Sequence, residues 1–275
     1  MRLIYILIII MSISIGNADP IKKWVIDYSR DNPSKEFKPY QLLVLDNTSH
    51  INLNLFKRKH KILLGYISLG EVENIRSYYD QSKKDGYILD ENKNWPGSFY
   101  VDVRNPKWTK LVISKVIPSI LSQGFDGIFI DTIDNPEYLE TSNPKKYKNM
   151  QLAAINLLIM IRMNFPHIKI MINRGYSLLP DVAKYIDYVL AESLMTDIRF
   201  KDKSYKKRPE KVYLATIKKL RELQDINPKL LLFSLDYWNP KDTEEIKEIY
   251  KTERENGFIP YVSTINLNKI YTEPK

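Results

Sequence analysis

The chain has 275 residues with no cysteine, 42 Lys and Arg against 33 Asp and Glu, and a formal net charge of +9. The missing cysteine excludes disulfides, thiolate metal sites and a cysteine nucleophile, so the fold must rest on its core alone. The basic excess would suit an anionic surface or nucleic acid, but the lysines fall on expected helix faces and in the loop from Lys201 to Lys211, with no nucleic-acid motif beside them. They are read as solvated surface, and no nucleic-acid partner is expected.

The chain opens with Met1-Arg2, an apolar run from Leu3 to about Ile15 and then Gly16-Asn17-Ala18, the three-part layout of a secretory signal peptide cleaved after Ala18. The run is shorter than the roughly 20 residues that span a bilayer, so a permanent span is not expected, although an uncleaved anchor stays open. Residues 1–18 are thus expected to be lost on export to the cell envelope, periplasm or medium, leaving residues 19–275 as one domain.

From there short apolar runs rich in β-branched and aromatic residues alternate with segments of helical period, the pattern of βα units around a parallel sheet. Eight runs qualify: Trp24 to Tyr28, Gln41 to Asp46, Ile62 to Ser68, Gly127 to Asp131, Ile168 to Asn173, Tyr188 to Glu192, Leu230 to Asp236 and Phe258 to Ser263. Most are apolar throughout, so both faces should be covered, and eight of them in a chain of this length predict a (β/α)₈ TIM barrel. Helices are expected over Asn52 to His60, Lys107 to Ser122, Lys145 to Phe165, Leu178 to Tyr185, Pro209 to Gln224 and Thr243 to Asn256. About 40 residues from Leu69 to Pro106 form no expected element, and a long connection after a barrel strand belongs to the catalytic face.

Acidic residues close or follow most strands: Asp46 after the second, Glu71 and Glu73 after the third, Asp131 and Asp134 after the fourth, Glu192 after the sixth and Asp236 after the seventh. One such acid commonly caps a helix or pairs with a cation. Several on one barrel face repel each other, which asks for acid/base chemistry, a metal or a cationic ligand. Two carboxylates suffice to hydrolyse a glycoside, and the aromatic residues of this face, Tyr66, Tyr78, Tyr79, Trp95, Tyr176, Tyr237 and Trp238, suit sugar rings. Other chemistries fit less well. His50, His60 and His167 lack metal-ligand spacing, no glycine-rich loop joins a strand to a helix, and no serine stands in a nucleophile elbow. No cofactor or metal is expected, while a carboxylate-only Mg²⁺ or Ca²⁺ site stays open.

Three blocks carry a resemblance: Gly65-Tyr66-Ile67-Ser68-Leu69-Gly70-Glu71-Val72-Glu73, then Trp95-Pro96-Gly97 with Tyr100-Val101-Asp102-Val103-Arg104, then Gly124-Phe125-Asp126-Gly127-Ile128-Phe129-Ile130-Asp131-Thr132-Ile133-Asp134. Together they resemble glycoside hydrolase family 114, the endo-α-1,4-polygalactosaminidase family. The resemblance implies a (β/α)₈ barrel acting on galactosamine-containing polysaccharide, with Asp131 as nucleophile and Glu192 as acid/base. Asp46, Tyr66, Glu71, Glu73, Asp134, Asn173, Arg174, Asp236 and Tyr237 are then the expected substrate contacts. A barrel that binds envelope polysaccharide without cutting it is the rival reading.

Overall fold

The structure, a computed structural model, describes residues 20–29, 31–49, 51–57, 59–199, 202 and 204–275. The expected signal peptide, residues 1–18, and His50 lie outside the described residues. Eight parallel strands form the central sheet, here labelled β1 (Trp24–Asp27), β2 (Leu42–Leu45), β3 (Ile62–Ser68), β4 (Gly127–Asp131), β5 (Lys169–Asn173), β6 (Tyr188–Glu192), β7 (Leu231–Tyr237) and β8 (Ile259–Ser263). Each pairs with the next in chain order. At the seam between β8 and β1 the Trp24 indole N–H donates to the Ile259 carbonyl at 2.8 Å. The sheet is thus a nearly closed (β/α)₈ barrel, as the run of apolar segments predicts.

Aromatic rings fill much of its interior. Trp24 meets Phe233 edge-on at 5.6 Å and Tyr261 at 5.8 Å, and all three are buried. Glycine is required where backbones crowd: a Cβ at Gly127 would collide with the Lys169 carbonyl at the start of β4 and β5, and one at Gly70 with the Thr132 carbonyl. Two of the glycines in the recognisable blocks are therefore packing requirements.

The outer helices follow their expected apolar faces. Glu210–Ile226 buries Tyr213, Ile217, Leu220 and Leu223, one stripe of a 3.6-residue period. Thr243–Glu255 is capped by Asp242, whose side chain accepts from the Glu245 N–H. The expected helix from Lys107 to Ser122 runs as Pro106–Leu111, a π-helical turn Val112–Val116 and Ile117–Ser122. Pro118 has no N–H for a regular ladder, and the widened turn before it accommodates that loss.

Several expectations need correction. The first helix is a single turn, Asn54–Lys57, in place of Asn52 to His60. The connection from Leu69 to Pro106 is a three-stranded antiparallel sheet of Glu71–Glu73, Ile88–Glu91 and Ser98–Val101 with a helix Tyr79–Lys84. Its strands are short and partly exposed and its helix polar, so neither carries a strong apolar period. The Lys201 to Lys211 stretch is not simply a loop, since Ser204–Lys207 pairs antiparallel with Thr196–Arg199. Helix Asn135–Ser142 was not foreseen, and Pro136 in its first turn starts it. Among the described residues no helix is long and apolar enough to cross a membrane.

Candidate active site

The tips of β4, β5 and β6 bring three side chains together. The amide nitrogen of Asn173 donates to Asp131 Oδ1 at 3.0 Å and to Glu192 Oε2 at 2.6 Å. The other two carboxylate oxygens are also engaged: Tyr66 donates its hydroxyl to Asp131 Oδ2 at 3.0 Å and Tyr237 donates to Glu192 Oε1 at 2.6 Å. All four oxygens of the pair thus accept a hydrogen bond from barrel side chains. The Asn173 orientation is unambiguous on chemical grounds, because flipping it would set its oxygen against two carboxylates. Asn173 Oδ1 is buried and has no partner among the described residues.

Each tip turns by the same device. The residue immediately after each of the three site residues has a left-handed backbone: Thr132 at φ 59°, Arg174 at φ 55° and Ser193 at φ 53°. Such conformations cost on the order of 1–3 kcal/mol each and persist where neighbours over-determine them. Here the Thr132 hydroxyl accepts from the Gly70 N–H at 2.9 Å and pairs with the Ser68 hydroxyl at 2.7 Å, while the Ser193 and Arg174 N–H groups donate to Leu235 and Leu190 carbonyls at 2.7 and 2.9 Å.

Burial raises the Glu192 carboxyl above the ordinary glutamate range, and the charge of Asp131 adds to it, against the hydrogen bonds from Tyr237 and Asn173. Burial likewise pushes the Tyr66, Tyr237 and Tyr28 hydroxyls well above ordinary tyrosine, with the site carboxylates reinforcing the shift, so all three keep their protons.

The remaining expected contacts divide. Asp46 and Glu73 sit together on the β2–β3 side around Arg76, at 3.4 and 2.5 Å. Although burial opposes it, Arg76 and the Thr48 hydrogen bonds hold the Asp46 carboxyl below its ordinary value. Arg76 also lies 5.6 Å over the Tyr66 ring, and Tyr28 packs edge-on to that ring at 5.2 Å. Asp134 is half-buried beside the pair and meets Arg174 through one 3.5 Å contact. Burial, with the charge of Asp131, raises its carboxyl against the pull of Arg174.

Glu71 and Asp236, grouped on sequence with the substrate contacts, are buried and already engaged. Glu71 accepts from Asn92 at 2.7 Å, Asn135 at 2.6 Å and Ser98 at 2.5 Å, which ties the accessory sheet to the helix after β4. Asp236 Oδ1 accepts from the Met195 and Thr196 N–H groups and the Thr196 hydroxyl, holding the segment that follows Glu192. The parity of β7 explains the latter: Tyr237 reaches Glu192, so its neighbour Asp236 points the other way. Tyr28 and Arg76 were not foreseen. Tyr28 closed the expected first strand without an acid to draw attention, and Arg76 lay in the unassigned connection. Among the described residues no group of three or more His, Asp or Glu is placed to hold a metal ion.

Residues 16–275 match the sequence model of Glycoside-hydrolase family GH114. The chain belongs to that family. It is a glycoside hydrolase, and its neighbours among solved structures agree in fold. The glycoside hydrolase domain of PelA from Pseudomonas aeruginosa superposes with a TM-score of 0.81 at 20% identity, covering 92% of this chain and 99% of that one. Aspergillus fumigatus Ega3, solved in complex with galactosamine, gives a TM-score of 0.67 at 16% identity over 90% and 94% of the two chains. An uncharacterized protein of Methanocaldococcus jannaschii is 32% identical over 117 residues, which are 42% of this GH114 chain and 31% of that protein.

Proposed function

We propose that this GH114 chain cleaves an α-1,4-linked galactosamine-type polysaccharide with retention of configuration, after export and removal of residues 1–18. The Asn173 bridge is the observation that carries the reading of the mechanism. Both carboxylates accept from one nitrogen, at 3.0 and 2.6 Å. Their facing oxygens are therefore at most about 5.6 Å apart, short of the ~6.5–9.5 Å that makes room for an inverting water.

In this mechanism Asp131 attacks the anomeric carbon while Glu192 gives its proton to the departing glycosidic oxygen, forming a glycosyl ester and freeing one end of the polymer. Glu192 then takes a proton from water, whose oxygen displaces Asp131 from the anomeric carbon. Its raised carboxyl favours the proton needed in the first step. Glu192 Oε1 can carry that proton, because the Tyr237 hydroxyl can turn from donor to acceptor whereas the Asn173 NH₂ cannot. The galactosamine in the Ega3 complex and the excess of carboxylates over arginines around the mouth support an amino-sugar substrate.

The test is incubation with partially deacetylated α-1,4-galactosaminan, reading oligosaccharide release by mass spectrometry and the first-formed anomer by NMR, beside Asp131→Asn and Glu192→Gln. Release of the retained anomer, lost in both variants, is the expected result. Binding without release, or normal release by either variant, would overturn the reading.

A further inference from the structure

Helix Asn135–Ser142 begins just past the tip of β4, and its Tyr138 is 58% exposed. A single exposed ring is ordinary. This one is held in place, because the Tyr100 ring lies 6.0 Å away at 34°, and Tyr100 comes from the accessory strand Ser98–Val101. Two insertions on the catalytic face therefore meet in an aromatic pair. Glu71 fixes their relative position, since it accepts both from Ser98 on that strand and from Asn135 at the head of that helix.

Asp134 stands one turn before Tyr138, whose N–H donates to the Asp134 carbonyl at 3.1 Å. Whereas Glu71 has both oxygens filled by three side-chain donors, the Asp134 carboxylate meets one side-chain cation among the described residues, the half-exposed Arg174, through a long contact. The charge of Asp131 adds to the burial that raises the Asp134 carboxyl, and Asp134 in turn adds to the burial and the charge of Glu71 that raise the Tyr100 hydroxyl. An exposed ring, a partly accessible carboxylate and Asp131, the proposed nucleophile, thus follow one another along one flank of the mouth.

We propose that Tyr138, backed by Tyr100, is the platform of a sugar subsite next to the catalytic pair, and that Asp134 takes the ammonium of the amino sugar seated on it. The inference rests on the proposed polygalactosaminidase reading and adds the subsite to it. The ring supplies an apolar face for the C–H face of a pyranose, and the carboxylate supplies a charge that an N-acetylated residue cannot use. Arg174, released from its long contact, turns to sugar hydroxyls. Because the subsite lies beside the scissile bond and not at it, it contributes uniform binding to the polymer, which appears in KM more than in kcat.

The experiment compares steady-state kinetics of the wild type, Tyr138→Ala and Asp134→Asn on fully deacetylated and partially N-acetylated α-1,4-galactosaminan. Tyr138→Ala is expected to raise KM roughly tenfold on both polymers with kcat within about twofold. Asp134→Asn should raise KM more on the fully deacetylated polymer than on the partially N-acetylated one and so narrow the preference between the two. An unchanged KM in Tyr138→Ala, or a loss confined to kcat, overturns the subsite while leaving the proposed activity intact. A wild type that cleaves neither polymer overturns the activity itself, and the subsite with it.

Discussion

Asn173 is the residue on which the catalytic geometry depends most. Asn173→Ala removes the donor that both carboxylates share, leaving, among the described residues, Tyr66 as the side-chain donor to Asp131 and Tyr237 as that to Glu192. A hydrogen bond to a charged group contributes about 1.5–3 kcal/mol. Two such bonds are lost, and each 1.36 kcal/mol withheld from the transition state is a factor of ten, so kcat should fall roughly 10²- to 10⁴-fold. The amide also lowers the Glu192 carboxyl, so its removal should move the alkaline limb of the pH–rate profile to higher pH. The loss of stability should be modest, because the substitution orphans two carboxylate oxygens but also deletes a buried Oδ1 that has no partner among the described residues. Steady-state kinetics from acid to alkaline pH, with a melting temperature for each protein, read all three. A variant with kcat within threefold of wild type and an unmoved alkaline limb would refute the bridge.

Three further outcomes follow from other parts of the molecule. With Glu192 as the proposed acid and its carboxyl raised, activity should persist above the ordinary glutamate range and fall as pH rises through the Glu192 value, a limb absent from whatever residual rate Glu192→Gln retains. Glu71→Ala orphans the buried donors of Asn92 and Ser98, at about 1–3 kcal/mol each, and the partly buried donor of Asn135, so it should lower the melting temperature and open the accessory sheet to limited proteolysis before the barrel. Intact protease resistance in that variant would show that Glu71 does not anchor the sheet. Glu253 is fully buried, and burial with the charge of Asp236 raises its carboxyl. The folded state therefore holds its proton more tightly than the unfolded chain, so wild-type stability declines as pH rises above the ordinary glutamate value toward the raised one. Glu253→Gln should flatten that decline in thermal melts from pH 4 to pH 9, and an unchanged slope would refute the assignment.

The eight barrel strands were legible because each is a short apolar run buried on both faces, and that pattern survives without knowledge of neighbours. Asp131 and Glu192 were legible as two of several acids that close such runs, and it was the resemblance to family 114 that singled them out as a pair. The accessory sheet was not, because its strands are three or four residues long and hold together through Glu71 and its distant donors, not through a local period. The same limit separated Asp134 from Glu71 and Asp236. All three look alike in sequence, an acid shortly after an apolar run, yet one stays partly accessible while the others are buried under donors up to 64 residues away. The sequence by itself therefore determined where the barrel strands lie and which types of side chain gather at their ends. Only the tertiary structure decided which carboxylates stay accessible at the barrel mouth and which hold the protein together, because that depends on strand parity, on the left-handed turns after β4, β5 and β6, and on hydrogen bonds between residues brought together by barrel closure.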